Sequence, residues 1–471
     1  MKPMSGCALI GAARALSGIR DAVVLQHSVV GCHWGSLAAG MLQQPDNFRQ
    51  ASTVIYEENV IRGGMELIPQ GLTNIVQLYP EANAIFVVSG CIPNMIGDDV
   101  ESAIAAWQEE NPGHRVLHIP APGYAGHEGD GIERALLALL PLMEGNMQAW
   151  HREKTYSGGA AVDSYGNMVA KPAMGTGEHA DLTNRTGGGK ETGVLPKVNL
   201  LGLTASDPYS INDVKYLRRI FAGKLEIVCA LQQCSIEEIA RMGRADLNIV
   251  FGRGVKLAER MQKQFGMPYI CCDYPYGIQG MLNFLAQLEN KLSADFSDII
   301  MQLGNRADSL VKNSAMYLTT LYQLPAALVG DSAHLSGMQR FLQDELGMET
   351  VIALDTDTED QNRLERDLKQ SEAVLLLGSS YQAELADRLT LPMVRYVYPV
   401  VDEVCLTEQP MIGAEGTAYL LQQIVNAAMR VRYKTEGVFG GLRVKDCGYN
   451  QEELHCDVQR EPQCRDRGED E

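Results

Sequence analysis

A chain of 471 residues, 45% of them hydrophobic, holds enough apolar material for two to four packed domains of roughly 100–200 residues each. Its net charge of −19 argues against nucleic acid or an anionic membrane surface as partner. No run of about 18 uncharged apolar residues occurs, so a membrane-spanning helix is not expected. Arg14, Arg20 and Asp21 interrupt the short apolar stretch near the N-terminus, which speaks against a signal peptide and for a cytoplasmic protein.

From the N-terminus, Cys7 comes first, in GCALIGAARALSGI, just before a Gly/Ala-rich helix. The strand-like AVVLQHS then leads into Cys32, in HSVVGCHWG, and residues 84–90 (AIFVVSG) form a strand running directly into Cys91. Residues 155–195 are rich in Gly, Thr, Asn, Lys and Ala with little apolar periodicity, and read as a long loop or insertion. Strands are expected at 197–203, 225–231, 247–252, 326–331, 350–354 and 373–379, each short and apolar on both faces. Amphipathic helices at 212–221, 235–242, 255–265 and 335–346 alternate with them. This alternation predicts an α/β protein of three doubly wound, Rossmann-like domains with parallel sheets. The expected divisions are 1–195, including the insertion, then 196–325 and 326–437. A charged tail at 438–471 lacks a core pattern and reads as a mobile or partner-wrapping extension.

Eleven cysteines in a reducing compartment point to metal ligation or catalysis more than to disulfides. Cys7, Cys32 and Cys91 stand where three loops should be, and a thiolate at a strand end beside a helix N-terminus is electrostatically favoured. Gly31 and Gly90 would let the backbone approach a bulky inorganic core. The spacings of 25 and then 59 residues match neither a compact ferredoxin run nor a zinc finger. They suit a cluster completed by ligands from another chain, with buried thiols as an equal alternative. Cys229, Cys234, Cys271, Cys272 and Cys405 read as small buried hydrophobes.

A set of ordered motifs goes further. His27-Ser28-Val29-Val30-Gly31-Cys32, Glu57 and Glu58 with Gly63-Gly64, and Cys91 through Ile96-Gly97-Asp98-Asp99 follow the patterns H-G-x-x-G-C (with Ser28 for its first glycine), E-x-x-x-x-x-G-G and Cys…I-G-D-D. Met267-Pro268 with Pro275-Tyr276-Gly277-Ile278, then Gly378-Ser379-Ser380, then residues 394–416 continue in order. Over residues 7–430 the chain resembles the subunits of nitrogenase component 1, in the β-type. The resemblance implies that Cys7, Cys32 and Cys91 ligate a P-cluster (8Fe–7S) or its 4Fe–4S counterpart, shared with an α-type subunit in an α2β2 heterotetramer. It also implies that an ATP-hydrolysing iron protein donates the electrons. The family's α-type holds its FeS-based catalytic cofactor through a cysteine in the middle domain and a histidine in the last. Gly252-Arg253-Gly254 occupies the neighbourhood of that cysteine, so the cofactor is expected in the partner. Family β-subunits carry a serine within a T-P-S-F-x-G-S-like segment, where this chain has Gly123 in Ala121-Pro122-Gly123-Tyr124.

The remaining candidates have plainer readings. His334, in GDSAHLSGMQ, is expected to cap or pack the helix after a strand. Cys271-Cys272 reads as a buried strand end, and Cys447, Cys456 and Cys464 as surface thiols. His27 and His33 could bond to sulfur or pack a helix. Gly187-Gly188-Gly189-Lys190 lacks the spacing and preceding strand of a phosphate loop. Within the family, all three cysteines together with His33-Trp34, Gly123 and the insertion favour the β-subunit of a methylthio-alkane reductase, releasing methanethiol. A dinitrogen-reducing β-subunit and a non-catalytic cofactor-assembly scaffold are the alternatives. The substrate itself is not readable from a subunit in which the chemistry does not occur.

Overall fold

A computed structural model describes residues 5–41, 49–144, 195–404 and 408–436. The expected insertion, except Leu195, lies outside the described residues, as do the tail and Cys405, Cys447, Cys456 and Cys464. Twelve strands are described: β1 (Ala22–His27), β2 (Gln50–Ser52), β3 (Ala84–Ser89), β4 (Val116–Pro120), β5 (Lys197–Leu201), β6 (Glu226–Ala230), β7 (Leu247–Phe251), β8 (Tyr269–Cys272), β9 (Pro325–Gly330), β10 (Glu349–Asp355), β11 (Leu375–Gly378) and β12 (Met393–Arg395). They form three four-stranded sheets ordered β2-β1-β3-β4, β6-β5-β7-β8 and β10-β9-β11-β12. All pairs are parallel; β1 runs beside β3 from Ala22 opposite Ala84 to His27 opposite Ser89. The three-domain α/β expectation therefore holds, and each sheet repeats one order.

Parallel strands covered by helices on both faces need continuous apolar runs. AVVLQH and AIFVVS meet that need and are buried at every position. Beneath this sheet the helix Ala8–Ser17 lies against Glu128–Ala138 so closely that only glycine fits at the crossing. A Cβ on Gly11 would fall 1.9 Å from the Glu128 carbonyl oxygen, and one on Gly131 1.9 Å from that of Ala8. The hydrophobic cores do not respect domain limits. One joins Leu9, Phe86 and Leu136 of the first domain to Leu201, Val250 and Leu257 of the second. Another joins Phe251, Tyr274 and Phe284 of the second to Leu328, Phe341 and Leu420 of the third. The helix expected over 335–346 is α-helical only at Leu335–Arg340, continuing as a wider π turn over Phe341–Glu345. That turn brings the Glu345 carboxylate to the amides of Ile278 and Gln279, at 2.8 and 2.9 Å, where it caps the helix Gly277–Leu292. Among the described residues no helix is long and apolar enough to cross a membrane.

Candidate metal-cluster site

In the order β2-β1-β3-β4 the chain reverses direction of winding between β1 and β3. The crevice beyond the carboxyl ends of two such strands is where doubly wound sheets take ligands. Two of the three predicted cysteines lie there. Cys32 falls in the first turn of Val30–Met41, after β1, and Cys91 opens the short helix Cys91–Ile96, directly after β3. Cys7 arrives from the side as the residue preceding Ala8–Ser17. All three are partly exposed.

Gly123 shows how near the sulfurs lie. Its N–H donates to Cys91 Sγ at 3.1 Å. A Cβ added to it would stand 3.2 Å from Cys7 Sγ and 3.4 Å from Cys91 Sγ. Burial, followed by the nearness of Cys7 and Cys91, pushes the Cys32 thiol up. Thiolates gathered at one site call for a positive charge among them, which the irons of a cluster would provide. The donor set fits an iron–sulfur core, and the bare Cα of Gly123 leaves the cradle open where any side chain would intrude. Gly31 faces open space, whereas a Cβ at Gly90 would meet Leu9 Cδ1 at 2.8 Å, so packing explains the second glycine.

Around the cradle, Trp34, Tyr56, Ile61, Met95 and Tyr124 are exposed, Ile61 to 86% and Met95 to 69%. Behind it the motif residues tie to one another. His27 is fully buried, with Nδ1 2.9 Å from Thr53 Oγ1 and Nε2 3.2 Å from Asp98 Oδ2. Asp98 also accepts from the Gly64 amide. His27 thus orders the loops without bonding to sulfur, and burial pushes its pKa down. Nδ1 of His33 has no partner among the described residues.

A second tie was invisible at the level of motifs. The Gly6 amide donates to Glu128 Oε2 at 2.7 Å, Glu128 Oε1 pairs with Arg14 at 2.6 Å, and Arg14 reaches Asp207 at 2.7 Å. The guanidinium also lies 3.4 Å from the centre of the Tyr398 ring. One lone cation in the otherwise uncharged helix ALIGAARALS was the signal for it. Elsewhere Cys229, Cys234 and Cys272 are buried as expected, but Cys271 is exposed because β8 is an edge strand with alternating faces. His334 is buried ahead of Leu335–Arg340 and bonds through Nδ1 to Asp331 Oδ1 at 2.9 Å.

Three repeated parallel sheets with a thiol cradle at the first switch point define a multidomain, doubly wound α/β protein with a candidate metal-cluster site. The chain belongs to the family described as nitrogenase component 1 type oxidoreductase, whose family model matches residues 7–429. It is 23% identical over 91% of its length to the nitrogenase vanadium-iron protein beta chain of Trichormus variabilis, covering 93% of that protein. It is 29% identical to the nitrogenase iron-molybdenum cofactor biosynthesis protein NifE of Clostridium pasteurianum, over 74% of this chain and 67% of that one. The solved structure "Nitrogenase Cp1 at pH 6.5" matches with a TM-score of 0.72 at 17% identity, covering 92% of this chain and 94% of the other.

Proposed function

We propose that this chain is the β-type subunit of a nitrogenase-like, ATP-dependent two-component reductase. Cys7, Cys32 and Cys91 would supply its share of an iron–sulfur cluster at the seam with an α-type subunit, in an α2β2 heterotetramer served by an iron protein. The observation that carries this reading is the convergence of Cys7 and Cys91 on Gly123, with Cys32 near enough to both for each to push its thiol up, on a rim that is exposed and apolar. When bound, such a cluster accepts and passes on single electrons.

The chain's own residues hold and shield the site. The Gly123 amide donates to Cys91 Sγ and helps fix where that sulfur stands. Because Gly123 has no side-chain oxygen, the ligands from this chain are sulfur, for a P-cluster and a 4Fe–4S cluster alike. Exposed Trp34, Tyr56, Ile61 and Met95 suit closure by a partner's apolar surface. The junction of the three domains is filled by Arg14 and Arg253 with their carboxylates, which supports placing a large catalytic cofactor in the α-type subunit. As substrate we favour a small methylthio-alkane. Two electrons and two protons would cleave its carbon–sulfur bond, giving the alkane and methanethiol.

The test is anaerobic co-purification with the α-type partner, followed by assay with the iron protein and ATP. Methanethiol from a methylthio-alkane is the expected product; ammonium from dinitrogen would replace that substrate. A preparation that never turns over but hands its cofactor to another protein would make the chain a scaffold. Cys32→Ala should lose cluster iron and its paramagnetic signal, and retention of the full iron content would overturn the ligand assignment.

A further inference from the structure

Cys32 and Cys91 follow the central strands β1 and β3, whereas Cys7 follows Ser5 and Gly6, which belong to no helix or strand. Its helix, Ala8–Ser17, has no side-chain cap at the N-terminus. A ligand so placed keeps one geometry only through what surrounds it. The ties run to residues 126–128. Cys7 bridges His127 in antiparallel fashion, and the Ala8 amide donates to the Gly126 carbonyl at 3.2 Å. Glu128 adds its side chain, with Oε2 accepting from the Gly6 amide at 2.7 Å. On the reading that Cys7 is a cluster ligand, we infer that Glu128 is a positioning residue. Its carboxylate clamps the Cys7 loop, setting how firmly that thiolate holds iron, and its charge sets how readily the cluster is reduced.

Several features make the clamp stiff. Glu128 is 2% exposed and uses both oxygens, since Oε1 accepts from Arg14 at 2.6 Å. A bond from an amide to a carboxylate is about twice as strong as one between neutral groups. Arg14 lies roughly two turns into the helix that follows Cys7. A long helical side chain leans toward the N-terminus, which carries its guanidinium back to the Cys7 end. One carboxylate therefore grips both the residue before Cys7 and the body of its helix. Arg14 is itself fixed in the loop after β5. Its Nε donates to Ser206 at 2.9 Å, and its Nη2 to Thr204 at 3.2 Å and to Asp207 at 2.7 Å. The Tyr398 ring of the third domain covers the same guanidinium. The position of Cys7 is thus referred to both other domains. A negative charge beside a ligand loop also opposes the arrival of an electron, because local charge helps set a cluster's potential.

The experiment uses the anaerobic complex with its partner. Glu128→Asp keeps the charge but is one methylene too short to reach Gly6 and Arg14 together. Glu128→Gln keeps the length and loses the charge. Both should lose iron to a chelator at least about three-fold faster than wild type, with Cys7 trapped by iodoacetamide ahead of Cys91. The reduction potential should move positive in Glu128→Gln and stay at the wild-type value in Glu128→Asp. Glu133→Gln is the control: Glu133 lies on the same helix and accepts from the Gly254 amide, and its loss should leave the rate of iron release unchanged. Wild-type rates in both Glu128 variants, an equal acceleration in Glu133→Gln, or potentials that do not separate Gln from Asp would overturn the inference. A further readout needs no variant to fold. The Gly6 amide of wild type should exchange with deuterium at least ~100-fold slower than in the denatured chain, and free exchange would count against the clamp. Cys32→Ala keeps the two ideas apart. If it retains its iron, the ligand assignment fails; if it loses iron while the Glu128 variants behave as wild type, only the clamp fails.

Discussion

Gly123 matters for what it lacks. Gly123→Ala would set a Cβ 3.0 Å from Cys7 Cβ and against both sulfurs, where well-packed surroundings give way only slightly. The expected result is a two-fold or greater loss of bound iron with little change in the stability of the metal-free chain, read by iron analysis and chemical denaturation. A different residue governs pH response. Burial, opposed by bonds from Tyr274 and the Met411 and Ile412 amides, raises the Asp213 carboxyl to about 7. An unfolded aspartate ionises near ~3.9, so the folded chain keeps a proton that the unfolded chain releases. The resulting stability is complete below about pH 4 and is lost as pH rises through about 7. Asp213→Asn keeps an acceptor for the two amides and offers Tyr274 a donor. Its denaturation midpoint should therefore hold steady from about pH 5 to 8 while that of wild type falls toward it or below.

Between elements, Arg14 connects the helix after Cys7 to the loop after β5. Arg14→Met would leave Glu128 and Asp207 buried without their partner, at a cost of roughly 3–5 kcal/mol. A shift in the denaturation midpoint measures it, and a shift of under about 1 kcal/mol would show that the pair contributes little. How much of this architecture was legible follows from where each strand lies. The central strands β1, β3, β5, β7, β9 and β11 are buried apolar runs, and each was read from sequence, along with edge strands β6 and β10. The edge strands β2, β4 and β12 were missed, and β8 was sensed only as a strand end at Cys271-Cys272. QAS and MVR are too short to form a run, and VLHIP is largely half-buried, so none carries the double-sided apolar signal. The cysteines were legible because each adjoins a local signal of strand end and glycine. The junction of Arg14, Asp207, Arg253, Asp331 and His334 was not, since its partners lie up to 193 positions apart and no local pattern marks them.

For the molecule as a whole, the proposed seam puts assembly on the apolar rim of the cradle. Trp34→Glu or Met95→Glu should weaken association with the α-type partner about tenfold or more, roughly 1.4 kcal/mol, as measured by sedimentation. Unchanged affinity would move the seam to another face. The cores shared across domain limits carry a thermodynamic consequence. Since Leu201, Val250 and Leu257 are buried with the first domain and Phe251, Tyr274 and Phe284 with the third, the second domain cannot melt without exposing apolar surface in both neighbours. Heating should therefore give one endotherm whose calorimetric and van't Hoff enthalpies agree, and excising the second domain should yield a fragment without a sharp transition.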